Sequence, residues 1–420
     1  MSQPDFASLP LTAFEDVAAL SARRSARWRP GLAASRGLAL HNEVFASSRE
    51  GAGTGAALAL ALWIHVLAGD WTPPMHFPLL SWHAHEMIHG FAMAAVAGFM
   101  LTAIPNWTGR MPLQGLPLLV LVLLWGAGRI VMPFSALTGA GVAAAVDLAF
   151  PLVFLAVVAR EIVAGRNWRN LPMTGALTLL LASNALMHAE AAGAAIPPGT
   201  GARLGLGLLV LLISLVGGRI VPSFTRNWLA KRGETKLPAS FGWTDRIALG
   251  ATAAAIAVFV VAPESALLAW IALAAALAQA ARLVRWRGAA TGAEPLVAIL
   301  HLGYAFIPLG LALLGFSILT SAVPQAAALH AFGAGAVGTM ILAVMTRATL
   351  GHTGRALRAD RATVALYAAI ILAALTRIAA AFLPGMTMTL LVLSGALWFA
   401  GFLGFALVYG RYLARPRAKA

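Results

Sequence analysis

The sequence predicts an all-α polytopic membrane protein with about twelve transmembrane helices. Three observations carry this reading. Hydrophobic residues make up 60% of the 420 and charged residues 11%, with a mean hydropathy of +0.82, whereas a soluble domain carries ~25% charged residues. Apolar runs close to the ~20 residues needed to cross a bilayer recur along the chain. The basic residues gather in alternate connections between those runs.

Residues 1–50 are polar and include Arg23, Arg24, Arg27 and Arg29. No compact apolar core follows these arginines directly, so the segment is not a signal peptide. A cytoplasmic extension is expected there, with an amphipathic helix around residues 9–24. Residues 51–415 are expected to form the transmembrane domain. Its predicted spans are roughly 52–69, 84–104, 114–132, 136–160, 171–191, 203–222, 246–262, 265–284, 294–316, 325–346, 362–383 and 387–410.

The connections after alternate spans hold Arg110; Arg160, Arg166 and Arg169; Arg226, Lys231, Arg232, Lys236 and Arg246; Arg282, Arg285 and Arg287; and Arg347, Arg355, Arg358 and Arg361. With both chain ends added, roughly 26 of the 30 basic residues fall on one side. That side is read as cytoplasmic and both termini with it. The net charge of +15 therefore belongs to membrane topology and not to a nucleic-acid surface.

The chain has no cysteine. Disulfides, iron–sulfur clusters, thiolate metal sites and covalent haem attachment are excluded, so any metal or haem leans on the ten histidines. Seven of these fall at the opposite, outer level: His65, His76, His83, His85, His89, His188 and His330. His301 lies in the inner half of the ninth span, and His41 and His352 on the basic side. A lone interfacial histidine is usually a hydrogen-bonded headgroup neighbour. Several ionisable groups at one depth are costly there and point to a site. Residues four apart share a helix face, so His85 goes with His89, while His83 goes with Glu86 three residues on. His83 and His85 point nearly oppositely.

A shift of 245 positions lays the second span on the tenth without gaps. It aligns His85 with His330, Gly90 with Gly335, Met100 with Met345, and Thr108-Gly109-Arg110 with Thr353-Gly354-Arg355. The sixth span ends comparably, in Ile220-Val221-Pro222 against Ile104-Pro105. Three pseudo-repeats of four helices are expected. His85 and His330 then sit on equivalent helices at equal depth and are expected to be the axial ligands of a b-type haem.

Trp82-His83-Ala84-His85-Glu86-Met87, residues 98–110, Gly217–Trp228 and His330–Arg355 closely resemble the NnrS family, over roughly residues 80–415. The resemblance implies a bacterial inner-membrane protein of about twelve helices that carries haem and copper. It implies a part in the response to nitric oxide, with nitric oxide or its iron adducts as the small-molecule partner. The family motifs here include His83, His85, His188, His301, His330 and His352. His89 departs from them, since an aromatic residue is expected at that position, and residues 1–50 look unlike the family. The layout also resembles subunit I of haem–copper oxidases, but the sixth and seventh spans lack the histidines that hold copper there. Copper is expected instead on a set drawn from His83, His188, His65 and His301.

Arg129, at the histidine level, is read either as a partner for haem propionates or as a cation snorkelling to water. Glu86 is expected to accept an imidazole N–H. Asp147 and Arg377 are lone charges in apolar spans, each a candidate half of a buried pair. The competing function is a transporter of a metal or small metal complex. The residues name no reaction and no catalytic group.

Overall fold

The computed structural model describes Leu60, residues 62–67, Gly69 and residues 71–413. The extension expected over residues 1–50, and most of the first predicted span, lie outside these. The described residues are helical with no strands.

Among the described residues, ten helices are long and apolar enough to cross a membrane. In chain order the main helices are α1 (Leu79–Thr108), α2 (Leu116–Val131), α3 (Ala140–Ala164), α4 (Leu171–Ala191), α5 (Thr200–Lys231), α6 (Trp243–Val261), α7 (Ala266–Val284), α8 (Pro295–Leu319), α9 (Gln325–His352), α10 (Arg361–Phe382) and α11 (Thr387–Leu413). Ten of the twelve expected spans thus have helices that pass on length and apolarity. The fifth, α4, has the length but not the apolarity, because Ser183, Asn184, His188 and Glu190 fall in its last turns. Sequence neighbours pack together: α2 on α3, α4 on α5, α6 on α7, α7 on α8, and α10 on α11.

The sixth span is longer than expected. Pro222 reads as a stop, yet α5 runs through it for 32 residues, about 48 Å of helix at ~1.5 Å per residue. The proline removes one backbone bond, the one to Gly218 O, a loss that packed neighbours let a membrane helix tolerate. Trp82 stands at the start of a span, where tryptophans commonly form an interfacial belt. It is instead buried, packed with Trp63 and Met132.

Among the described residues, two helices carry π-helical segments, Glu86–Ala92 in α1 and Ala331–Gly338 in α9. Glu86 and Ala331 stand 245 positions apart, the shift at which the two spans align in sequence. Each segment follows directly on the aligned histidine, His85 or His330, and the two segments touch. A π-bulge costs hydrogen-bond geometry and is found mostly where function has retained it.

At the arginine-bearing end, the structure corrects one sequence assignment. Arg282, which sequence reasoning places among loop cations, lies inside α7 and is buried. Its Nε donates to Asp245 Oδ1 at 2.8 Å. Its Nη1 donates to Ser214 O at 2.9 Å and Tyr304 Oη at 2.8 Å. Tyr304 in turn donates to Gln279 Oε1 at 2.6 Å, and Gln279 Nε2 reaches Ser214 Oγ and Thr252 Oγ1. Gly218 makes this possible, since a Cβ there would lie 1.9 Å from Arg282 Nη2. This network ties α5, α6, α7 and α8 together.

Breaking a buried pair by removing one partner leaves an uncompensated charge and costs about 3–5 kcal/mol. Arg282→Met is therefore expected to lower the unfolding free energy of detergent-solubilised protein by about that amount. The double variant Arg282→Met/Asp245→Asn is expected to recover part of it. Equal losses in the two would show that the charge pairing is not what holds these helices.

Candidate metal centre

The site forms where α1, α2, α3 and α4 meet at the histidine-bearing end. His85 closes the α-helical first turns of α1, and the π-segment begins at the next residue. Arg129 comes from the last turn of α2, Asp147 from the second turn of α3, and Asn184 and His188 from the last turns of α4. His85, Glu86, His89, Asp147, Asn184 and His188 are all buried.

Asp147 is the hub. Its Oδ2 lies 3.0 Å from His85 Nε2 and 3.1 Å from His188 Nε2, and accepts from Asn184 Nδ2 at 2.8 Å. Its Oδ1 accepts from Arg129 Nη2. Arg129 Nη1 donates to Glu86 Oε2 at 2.7 Å, so one guanidinium clamps both carboxylates. Glu86 Oε1 lies 3.2 Å from His85 Nδ1. Phe77 stands edge-on to the rings of both His85 and His188, at 5.2 and 5.1 Å between centroids.

Hydrogen-bond accounting shows what the cluster could hold. Asn184 gives its amide N–H to Asp147, so it turns its oxygen to His85 Nε2 at 2.9 Å. His85 thus faces acceptors at both nitrogens: Glu86 on one side, Asp147 and Asn184 on the other. Two carboxylates against one guanidinium leave one negative charge in a dry interior, which must be balanced. A proton or a metal ion meets both requirements. One ligand atom each from His85, Asp147 and His188 lies within 4.8 Å of the others, and imidazole with carboxylate suits a first-row transition metal.

Two glycines clear the space. A Cβ at Gly90 would lie 2.6 Å from Arg129 Nη1, and one at Gly128 would lie 2.9 Å from Asp147 Oδ1. Trp125 Nε1 donates to Gly90 O at 2.8 Å and fixes the π-segment over the guanidinium. One helix turn further in, His89 Nε2 lies 3.1 Å from Ser183 Oγ, which donates to Gly201 O.

The structure does not bring His85 and His330 into hydrogen-bond or ring contact. His330 is half-buried, anchors Nδ1 on Ala326 O at 2.7 Å, and has Arg377 and His83 within electrostatic reach. His83 stacks on Trp63 at 4.3 Å between centroids and also senses Arg377. The reason is helix phase: His83 and His85 leave α1 on opposite sides, one toward α9 and α10, the other toward α3 and α4. The four residues read as a copper set are likewise spread out. His188 belongs to the Asp147 cluster. His83 is with Trp63, and His65 sits on the exposed side of residues 62–67. His301 is in the second turn of α8, with Nε2 on Thr225 Oγ1 at 2.8 Å. Arg129 neither snorkels nor stands free, and Asp147 is paired with Arg129 and not with Arg377.

Asn184 and Ser183 are not distinguishable in sequence from helix-interior polar residues. The signal available was their position at the histidine level of an otherwise apolar span.

Residues 51–417, most of the chain, match the protein family described as NnrS protein. A search of curated proteins finds no match.

The steric role of Gly90 is testable against a neighbour on the same helix. Gly90→Ala must displace the Arg129 guanidinium, and overpacking of this kind costs about 1–3 kcal/mol. Gly98 has nothing within 4 Å of its would-be Cβ, so Gly98→Ala is expected to be neutral or slightly stabilising. Thermal unfolding in detergent should separate the two variants by several degrees, and coincident curves would refute the steric role.

Proposed function

Because the chain belongs to the NnrS family, we propose that it is a bacterial inner-membrane metalloprotein of the nitric-oxide response, holding a transition-metal ion on His85, Asp147 and His188. Its histidine-bearing end faces the periplasm and both termini lie in the cytoplasm. Nitric oxide or its iron adducts are the partners bound or processed there.

The observation that carries this reading is the convergence of two imidazoles on one carboxylate oxygen inside the membrane domain, in a cluster short of one positive charge. Copper is the ion we assign to it, since imidazole binds copper well and the family resemblance implies that metal. The ion would supply a redox-active centre with affinity for a small nitrogen oxide. The protein's own part is defined by the geometry. Glu86 orients the His85 ring and sets its basicity. Arg129 holds Glu86 and Asp147 in register, and Phe77 keeps water from the two imidazoles.

Haem enters the proposal at a second place. An axial imidazole is normally anchored through one nitrogen and open at the other. His330 has that arrangement: Nδ1 is on Ala326 O, and Nε2 has no hydrogen-bond partner among the described residues. His83 is the nearby imidazole and Arg377 the cation suited to a propionate. His85, enclosed at both nitrogens, fits a metal ion and leaves no face for a macrocycle.

Metal analysis and absorption spectra of detergent-purified protein test both assignments. We expect about one copper per chain, reduced severalfold in Asp147→Ala and His188→Ala. We expect a haem spectrum that is lost in His330→Ala and kept in His188→Ala. Copper retained at full occupancy in Asp147→Ala would overturn the metal assignment, and colourless, metal-free protein would put the metal-transporter reading ahead.

A further inference from the structure

At the arginine-bearing end, opposite the metal centre, one cation lacks a counter-charge. Arg219 of α5 is exposed and makes no hydrogen bond or ion pair with a described residue, and the charge within its electrostatic reach is another cation, Arg169. The antiparallel packing of α4 on α5 brings the two together. A Cβ at Gly205 would lie 2.6 Å from Ser183 Oγ, so those residues stand side by side. Arg219 is fourteen residues further along α5 and Arg169 fourteen residues back from Ser183, which carries both ~21 Å to one level. Arg219 is also nineteen residues from the start of α5 at Thr200, ~28 Å of helix, close to the ~30 Å thickness of bilayer hydrocarbon. It therefore stands where α5 leaves the hydrocarbon.

Neighbouring helix ends add charge to this corner. Asn167 Nδ2 donates to Trp107 O, and a Cβ at Gly165 would lie 2.6 Å from Thr108 Cβ, so the end of α1 packs against the connection that carries Arg169. There Arg110 and Arg160 both reach Glu161, Arg160 Nη2 at 2.7 Å. Two guanidinium groups on one carboxylate leave one positive charge, beside an open groove formed by residues 109–114 with Arg160 and Glu161. Residues 105–116, 158–173 and 215–223 together hold five arginines and one carboxylate. Trp168 and Leu171 are exposed next to Arg169, so the cations border an apolar surface of the kind that acyl chains cover.

We propose that this corner binds an anionic phospholipid, its phosphate held between Arg169 and Arg219 and its acyl chains running along Trp168 and Leu171. A guanidinium binds phosphate oxygens through parallel N–H donors, and basic pockets between transmembrane helices are where such headgroups settle. The phosphate supplies the negative charge that the single carboxylate here does not. Free phosphate offers the same oxygens but leaves the apolar border uncovered. Assigning the lipid to the cytoplasmic leaflet rests on the orientation proposed above. The headgroup site itself does not, and it needs no metal.

Native mass spectrometry of delipidated full-length protein tests this, with phosphatidylglycerol and phosphatidylcholine of the same acyl chains as probes. We expect a severalfold preference for phosphatidylglycerol, largely lost in Arg219→Gln and kept in Arg358→Gln, which removes the same charge from the connection between α9 and α10. Both arginines are exposed, so both variants are expected to fold. Phosphatidylglycerol should also raise the unfolding temperature of the wild-type protein more than that of Arg219→Gln. No preference in the wild-type protein, or the same preference in Arg219→Gln, would overturn the proposal. Equal losses in the two variants would overturn it in favour of a diffuse basic field, and displacement of the lipid by an equal concentration of inorganic phosphate would overturn it in favour of a soluble anion.

Discussion

One guanidinium holds the histidine-bearing end together. Arg129 reaches Glu86 on α1 and Asp147 on α3 from α2, and without it two carboxylates would face each other in a medium that cannot screen them. The clamp also fixes how much charge is missing. Because the arginine cancels only one of the two carboxylates, the imidazoles around Asp147 are left to carry a proton or a metal ion. Burial that would be unfavourable for any one of these groups is made tolerable by their mutual hydrogen bonds, and the same bonds aim two ring nitrogens at one oxygen.

Much of the fold was legible in the sequence because bilayer thickness dictates helix length and apolar composition directly. The boundaries that moved did so for local reasons. Pro222 does not end α5, since it costs one backbone bond and packed neighbours hold the helix through it. The polar last turns of α4 lower its apolarity because they serve the site. Side-chain pairing was less legible. His83 and His85 are two residues apart and take opposite directions, so a repeat alignment that correctly matched two helices did not settle which imidazole faces which. The pairing of Asp147 with Arg129 was open in sequence for a related reason: two neighbouring apolar spans carry no register that says which side chains meet. Arg282 shows the converse difficulty, a cation at a helix end that sequence statistics place in water and that Asp245 draws inside.

The paired π-segments unite the two observations. Nothing in the residue types of Glu86–Ala92 or Ala331–Gly338 marks them as anything but helix, yet both begin where the aligned histidines end, and both lie against α5 and against each other. In α1 the widened turn brings Glu86 and Gly90 around the Arg129 guanidinium. In α9 it brings Gly335 against Phe306 and Gly338 against Trp398, an apolar version of the same device. The first π-segment wraps charge and the second wraps packing, while His330 precedes the second with Nδ1 anchored on Ala326 O.

X-ray absorption at the edge of the metal retained by purified protein tests the central claim most directly. The account predicts a first shell of nitrogen and oxygen only, at ~2.0–2.1 Å, with the multiple-scattering signature of two imidazoles, and loss of one imidazole in His188→Ala. A shell containing thioether sulfur, or one that is unchanged by His188→Ala, would contradict it.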